Sequence, residues 1–118
     1  MEIKPIGKVI KQSAEESVLE IEPAHTEGLC GIETGDRLQV LYWMHKLREG
    51  NRQTLKVHPR GDRSRPLKGV FGLRSPMRPN PIGVSDVRVT RLMENRVFVS
   101  GLDALDGSPI IDIKGGAR

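Results

Sequence analysis

Polar and apolar residues alternate along much of this chain, with the period of two that is typical of a β-strand buried on one face. The alternation is clearest over five segments, and it predicts strands at residues 18–22, 37–43, 54–58, 85–92 and 96–101. A first strand is expected within residues 2–10 and a last strand within residues 109–114. No long window has the apolar spacing of a helix, so only a short helical turn is predicted, within residues 25–35.

The fourth of these strands is expected to place Val87, Val89 and Arg91 on one face and the residues between them on the other. Its connection to the next strand is the short polar segment MENR, which predicts a β-hairpin. Seven or eight short strands in 118 residues favour an all-β fold, a single closed or nearly closed antiparallel β-barrel with short helical turns. Closure is favoured because it leaves no strand edge exposed. One domain is expected to occupy residues 1–118.

The composition adds an expectation about assembly. Apolar residues make up 36% of the chain, and its aromatic residues are one Trp, one Tyr and two Phe. This apolar content is low for a domain that must close its own core, so a second copy is expected to cover part of the surface. The sequence therefore predicts a homodimer.

The net charge of +4 is unevenly distributed along the chain. Residues 46–78 contain ten Lys or Arg and two acidic residues, a local charge of +8, whereas residues 1–45 carry −4 and residues 79–118 are balanced. A folded face of this charge favours nucleic acid or a phosphorylated ligand as the partner. Charge alone is equally compatible with a basic surface that only keeps the protein soluble.

Cysteine usage and hydropathy limit the other classes of protein. Cys30 is the only cysteine, so the chain has no intramolecular disulfide, and no neighbouring residue marks this thiol as catalytic. The N-terminus has no charged and then apolar leader, and no apolar run approaches the length that spans a membrane. These features predict a cytoplasmic protein without membrane contact.

Residues 69–85, GVFGLRSPMRPNPIGVS, combine proline and glycine at a density that strands and helices avoid. Pro76, Pro79 and Pro81 restrict their own backbone and disfavour helical conformations at the residues before them. This proline-glycine segment is therefore predicted to be a stiff, extended loop. Stiffness suits the wall of a binding pocket because little entropy is lost on binding. Taken alone, the segment slightly favours the other interpretation, a structural corner of the barrel.

Residues 101–114, GLDALDGSPIIDIK, place Asp103 and Asp106 in a turn between two predicted strands. Asp-Gly is a turn dipeptide, so capping of the turn explains either aspartate by itself. The pair could also accept hydrogen bonds from the two hydroxyls of a ribose. A metal ion would need further ligands, and no neighbouring His or acid supplies them, so no metal site is predicted in this acidic segment.

Three ordered blocks resemble the TrmO, or TsaA/YaeB-like, family of tRNA methyltransferases. They are GDRLQVLYWMHK at residues 35–46, the proline-glycine segment and the acidic segment, and the last two are highly specific. The resemblance, which runs over most of the chain, implies a β-barrel that binds S-adenosylmethionine and works as a homodimer with the cofactor near the interface. It also implies methylation of N6 of the threonylcarbamoyl-modified adenosine immediately 3′ of the tRNA anticodon.

The resemblance also implies which residues contact the cofactor, namely His45, Lys46, Arg74, Val84, Asp103, Ala104, Leu105 and Asp106. Arginine suits the methionine carboxylate, and aspartate suits the ribose hydroxyls. Asn80, held between two prolines, is the catalytic candidate, because other adenine-N6 methyltransferases use an Asn-Pro element to hold the target amine. The regional charge, and not the resemblance, predicts contacts with tRNA phosphates for Arg60, Arg63, Arg65, Lys68 and Arg78.

Two departures from the family pattern keep other functions open. The segment after the first predicted strand lacks the Pro-Arg-Gln-like loop that touches the cofactor in family members, and the chain ends DIKGGAR where members continue DIKPY. One alternative is a non-catalytic RNA-binding barrel. The other is a methyltransferase that acts on a small molecule or on another RNA.

Overall fold

A computed structural model describes residues 1–45 and 49–116 of the chain. Eight strands lie in these residues: β1 (Gly7–Lys11), β2 (Glu16–Ile21), β3 (Arg37–Trp43), β4 (Lys56–Val57), β5 (Lys68–Gly69), β6 (Ile82–Met93), β7 (Arg96–Ser100) and β8 (Pro109–Gly115). The helical segments among them are 3-10 turns at Pro23–Leu29, Glu49–Gln53, Pro59–Gly61 and Val70–Gly72. The first of these is the predicted helical turn, and it begins two residues before the predicted window. Within the described residues, no helix is long and apolar enough to cross a membrane.

Six strands form a closed antiparallel barrel in the order β1-β2-β7-β6-β3-β8, which confirms the predicted fold class. Alternate residues of each strand point inward, and fully buried side chains such as Leu19, Val40, Val97 and Ile110 fill the core. This arrangement explains the period-two pattern of the sequence, because one face of every strand in a small barrel packs into the interior. The predicted hairpin is also present and joins β6 to β7.

The barrel closes at a short seam between β1 and β8. In the described structure only two residue pairs join these strands directly. The main chain of Val9 then bonds with the acidic segment, accepting from the N–H of Gly107 at 2.8 Å and donating to the carbonyl of Ser108 at 2.9 Å. The ammonium group of Lys11 donates to the carbonyl of Leu102 at 2.8 Å. The acidic segment is therefore part of barrel closure.

The predicted strand at residues 54–58 is wrong in its length and in its place. Only Lys56–Val57 is extended and paired there, and it forms a two-stranded ribbon with Lys68–Gly69 outside the barrel. Pro59 explains the early end, because proline has no N–H for a strand ladder, and a 3-10 turn starts at this residue. The basic region is consequently carried by a separate ribbon and its turn, here called the basic ribbon, residues 54–69.

The predicted face of Arg91 is also wrong. A β-bulge shifts the register of β6 against β7 between Val89 and Arg91. Val89 remains in the core, whereas Arg91 is exposed and its guanidinium carbon lies 3.8 Å from the ring centroid of Phe98. Because a bulge adds one residue to one strand only, it reverses the faces that strict alternation predicts beyond it.

Candidate functional site

An open cavity of about 490 Å³ lies where β3 ends, β6 begins and the chain leaves β7. Ten residues line it: Tyr42, Met44, Arg74, Pro76, Gly83, Val84, Ser85, Asp86, Gly101 and Asp103. Its volume is within the range of small-molecule sites. Of the predicted cofactor contacts, the fold brings three together in this cavity, namely Arg74, Val84 and Asp103.

Tyr42 organises the polar groups behind the cavity. Its ring is buried, and its hydroxyl donates a hydrogen bond to the main-chain carbonyl of Asp103 at 2.6 Å. The hydroxyl oxygen of Ser85 accepts a hydrogen bond from the amide of Asp103 at 3.2 Å and lies 3.4 Å from the Tyr42 hydroxyl. Both main-chain polar groups of Asp103 are thus satisfied by buried hydroxyls. The main chain of Asp103 is consequently held in one position, with its side chain at the edge of the cavity.

Gly83 makes room for the ring of Tyr42. A Cβ atom at position 83 would lie 2.6 Å from two ring carbons, closer than such atoms approach in proteins. A shift of the ring away from that atom would also move its hydroxyl from the carbonyl of Asp103. Gly83 is therefore required for close packing, which is one of the established uses of glycine in a strand.

The charged groups that line the cavity are one arginine and two aspartates. Arg74 lies 3.8 Å from Asp86, and both side chains are more than half exposed. An exposed pair of this kind contributes at most about 1 kcal/mol, so Arg74 can exchange Asp86 for the carboxylate of a ligand. Asp103 is exposed as well. Because two carboxylates and one guanidinium line the cavity, its lining has a net negative charge. No group of three His, Cys, Asp or Glu side chains in residues 1–45 and 49–116 could hold a metal ion.

Three predicted contacts in the acidic segment lie away from the cavity lining. The side chain of Ala104 packs in the hydrophobic core, and Leu105 is 55% exposed. The carboxylate of Asp106 accepts a hydrogen bond from the main-chain N–H of Lys11 at 2.9 Å, on the closure seam. Asp106 thus has a structural role in addition to the predicted one, which stays a prediction.

The remaining predicted residues of the site adjoin the cavity along the chain. His45 is exposed and follows Met44, whose N–H donates to the carbonyl of Pro81 at 2.8 Å. Asn80 is exposed, and its side-chain amide makes no hydrogen bond with the described part of the chain. Lys46 lies outside the described residues.

Arg78 holds the proline-glycine segment in shape. Its guanidinium is half-buried and donates to the carbonyl of Ser75 at 2.8 Å and to the carbonyls of Leu73 and Val70 at 3.2 Å each. These three acceptors lie on the turn that precedes Arg78, so one side chain ties the turn together. The predicted contact with a phosphate stays a prediction beside this structural role.

A larger open groove of about 1280 Å³ lies between the basic ribbon and the proline-glycine segment. Its cationic lining contains Lys56, Arg60, Arg63, Arg65 and Arg74. The fold thus brings together three of the predicted phosphate contacts and adds Lys56. This basic groove adjoins the cavity, because Arg74 lines both of them.

Two charged residues of the basic ribbon, Asp62 and Lys68, are not among the residues that line the groove. Asp62 lies in the turn of the basic ribbon, and its pKa is lowered by hydrogen bonds from the hydroxyl and the amide of Ser64. It stays ionised and lies 3.7 Å from Arg65 in an exposed pair. The side chain of Lys68 passes beside Gly72.

Sequence reasoning missed the two hydroxyls that fix Asp103. Tyr42 and Ser85 both occupy inward positions of the alternating pattern, where a polar group needs a partner. The sequence therefore indicated that both hydroxyls need hydrogen-bond partners. It did not identify Asp103 as the partner, because Asp103 is 61 residues from Tyr42.

A closed barrel whose strand ends surround an open cavity of small-molecule size, beside a basic groove, belongs to the class of ligand-binding β-barrels. Residues 4–116 match the family model of the tRNA-methyltransferase O N-terminal domain, which is nearly the whole chain. The chain therefore belongs to this family.

Known proteins agree with this assignment. A probable S-adenosyl-L-methionine-binding protein of Methanocaldococcus jannaschii is 50% identical over 113 residues, which are 95% of this chain and 89% of that protein. An S-adenosyl-L-methionine-binding protein of Archaeoglobus fulgidus is 46% identical over 98 residues, 83% of this chain and 67% of that protein. The crystal structure of TrmO from Pseudomonas aeruginosa superposes with a TM-score of 0.72 at 27% identity, over 99% of this chain. The chain spans 56% of that TrmO chain.

We expect Arg78→Gln to loosen the proline-glycine segment without unfolding the barrel. Each hydrogen bond from a charged donor contributes about 1.5–3 kcal/mol, so the amides of Val70 and Leu73 should exchange with solvent at least about tenfold faster. Hydrogen exchange read by NMR measures this. Arg88→Gln, on the outer face of β6, is the matched control and should leave both amides unchanged. Unaltered protection in Arg78→Gln would contradict the structural role.

Proposed function

We propose that this chain uses S-adenosylmethionine to methylate N6 of the threonylcarbamoyl-modified adenosine next to the tRNA anticodon. The observation that carries the proposal is the junction of two spaces with opposite charge. The cavity has a net negative lining, and the basic groove, which shares Arg74 and Pro76 with it, has a positive one. A cationic cofactor and a polyanionic acceptor can therefore meet at that junction. Membership of the tRNA-methyltransferase O family supports the same reaction class.

The cavity residues fit the chemical groups of S-adenosylmethionine. The guanidinium of Arg74 suits the methionine carboxylate, and its weak exposed pair with Asp86 is easily exchanged. The carboxylate of Asp103 suits hydroxyls of the ribose. Both aspartates also favour the positive sulfonium, which supplies an electrophilic methyl group when the cofactor is bound.

Asn80 is proposed to hold the target amine. Pro79 and Pro81 restrict its backbone, and the carbonyl of Pro79 accepts a hydrogen bond from Arg52 at 2.8 Å. The side-chain amide of Asn80 makes no hydrogen bond in the described residues, so its oxygen can accept an N–H of the amine. Alignment of the amine with the methyl group should supply most of the acceleration.

A homodimer with the cofactor near its interface is part of the proposal. The outer faces of β3 and β6 carry an apolar strip, in which Leu41 pairs with Val84 and Trp43 pairs with Ile82. All four side chains are only half-buried in the single chain. Val84 also lines the cavity, so an interface on this strip would lie beside the cofactor.

We expect the wild-type protein to bind S-adenosylmethionine in isothermal titration calorimetry. Arg74→Ala and Asp103→Ala should each weaken binding about tenfold or more, because each removes a charge-assisted hydrogen bond. Gly83→Ala should also weaken it, by displacing Tyr42 and with it Asp103. Gly115→Ala is the matched control, because nothing lies within 4 Å of a Cβ atom there. Absence of binding by the wild-type protein would refute the cofactor site.

We expect transfer of a labelled methyl group to a tRNA that contains threonylcarbamoyl-adenosine and not to the same tRNA without the modification. Nucleoside mass spectrometry locates the methyl group. Asn80→Ala should lower kcat about a hundredfold by misplacing the amine. Gln12→Ala, which truncates an exposed side chain that follows β1 and lines neither the cavity nor the basic groove, should not change kcat. Methylation of small acceptors alone would favour the small-molecule alternative. Salt-dependent RNA binding without any cofactor binding would favour the non-catalytic barrel.

We expect the protein to be a dimer in light scattering, and we expect Leu41→Arg to convert it to a monomer. The charge would be placed in the middle of the apolar strip, where burial without a partner is costly. Met93→Arg, at an exposed position of β6, is the control and should leave the mass unchanged. A monomeric wild-type protein would contradict the proposed dimer. A dimer that persists in Leu41→Arg would contradict the proposed interface.

A further inference from the structure

The basic groove contains apolar side chains that its proposed contacts with phosphates do not explain. The ring of Phe71 is 77% exposed, and Leu67 and Met77, which also line the groove, are 57% and 38% exposed. Single exposed apolar side chains are ordinary, but three in one groove form a patch that calls for a partner. Their place among cations limits the chemistry of that partner.

The main chain beside Phe71 is held firmly. Val70 is 1% exposed, and its N–H donates to the carbonyl of Leu55 at 2.9 Å. The carbonyl of Val70 accepts hydrogen bonds from Leu73 at 3.1 Å and from Arg78 at 3.2 Å. Phe71 is therefore an exposed aromatic ring on a fixed backbone, which lowers the entropy lost when a flat ligand packs on it.

Both segments that form the basic groove contribute cations to its lining. Lys56, Arg60, Arg63 and Arg65 belong to the basic ribbon, and Arg74 follows Phe71 by three residues. No Asp or Glu is among the described residues that line the groove. The occupant must combine closely spaced negative charges with flat apolar groups.

Unpaired nucleotides are the ligand that meets both requirements. A duplex presents phosphates but keeps its bases stacked inside, so it would leave Phe71 exposed. An acidic protein segment would match the charges without supplying a flat face at regular spacing. A second copy of this chain in a two-fold contact would place its own cationic groove against this one, and the like charges would repel. Single-stranded nucleic acid offers phosphates for the arginines and a base for the ring.

We infer that Phe71 is a stacking platform for an unpaired nucleotide, with the arginines of the basic ribbon holding the flanking phosphates. The inference rests on the proposed function and deepens it. Since Arg74 and Pro76 connect the groove to the cavity, the stacked nucleotide is a neighbour of the one that reacts. Phe71 is accordingly a positioning residue, and selection of a single-stranded segment is a property of the basic groove.

Fluorescence anisotropy without cofactor tests the inference, with a labelled single-stranded RNA of about ten nucleotides and the same strand paired to its complement. Phe71→Ala should weaken binding of the single strand about tenfold and leave binding of the duplex unchanged. Phe71→Trp should restore the affinity, because it keeps a flat aromatic face. Met93→Ala, which truncates an exposed apolar side chain on the barrel, should change neither affinity.

Salt dependence separates the ring from the charges. Arg63→Ala should reduce the slope of log affinity against log salt by about 0.7, as expected for one lost phosphate contact with a single strand. Phe71→Ala should lower the affinity and leave that slope unchanged. Circular dichroism of each variant confirms that the barrel is folded.

Equal loss of single-strand and duplex binding in Phe71→Ala would overturn the inference, as would wild-type affinity in that variant. A change of mass in light scattering on Phe71→Ala would show that the ring packs against a second copy, and would overturn it too. Failure of the proposed function has a different signature. In that case S-adenosylmethionine would not bind, while single-strand binding would still depend on Phe71.

Discussion

Closure of the barrel at the seam between β1 and β8 is the constraint on which the rest of the structure depends. The two strands share few pairs, and the acidic segment completes the seam through the main chain of Val9 and through the side chains of Lys11 and Asp106. The same segment carries Asp103 to the edge of the cavity. Residues 106–108 are thus fixed by barrel closure, and the main chain of Asp103 is fixed by the hydroxyls of Tyr42 and Ser85. The part of this segment that precedes β8, residues 101–108, is thus held at several points by hydrogen bonds and presents the Asp103 carboxylate at a defined position.

The shape of the proline-glycine segment has causes within the segment and one cause outside it. Prolines restrict the backbone, but the turn at residues 70–75 is held by the guanidinium of Arg78, which gathers three carbonyls. Gly83 then allows β6 to pass against the ring of Tyr42. The two interpretations of this segment, a structural corner and a pocket wall, are therefore compatible, since the corner is what places Arg74 between the cavity and the basic groove.

Charge separates the two spaces that meet at Arg74. The cavity is lined by more acidic than basic side chains, whereas the basic groove draws its cations from a ribbon that is not part of the barrel sheet. The barrel supplies the rigid edge of the cavity, and the ribbon supplies the positive charge of the groove. Surfaces of opposite charge therefore adjoin each other at Arg74 and Pro76.

The sequence by itself determined the all-β class, the barrel and the β6–β7 hairpin, because side-chain alternation and turn composition are local and each strand of a small barrel has one buried face. It also determined that positive charge is concentrated in residues 46–78. Only the tertiary structure decided that Asp103 faces the cavity while Asp106 ties the seam, and that Arg91 turns outward after a bulge. The outcomes for Asp103 and Asp106 depend on hydrogen bonds between residues far apart in the chain, and the outcome for Arg91 depends on a register shift within the hairpin. Side-chain alternation along the sequence carries no information about either of them.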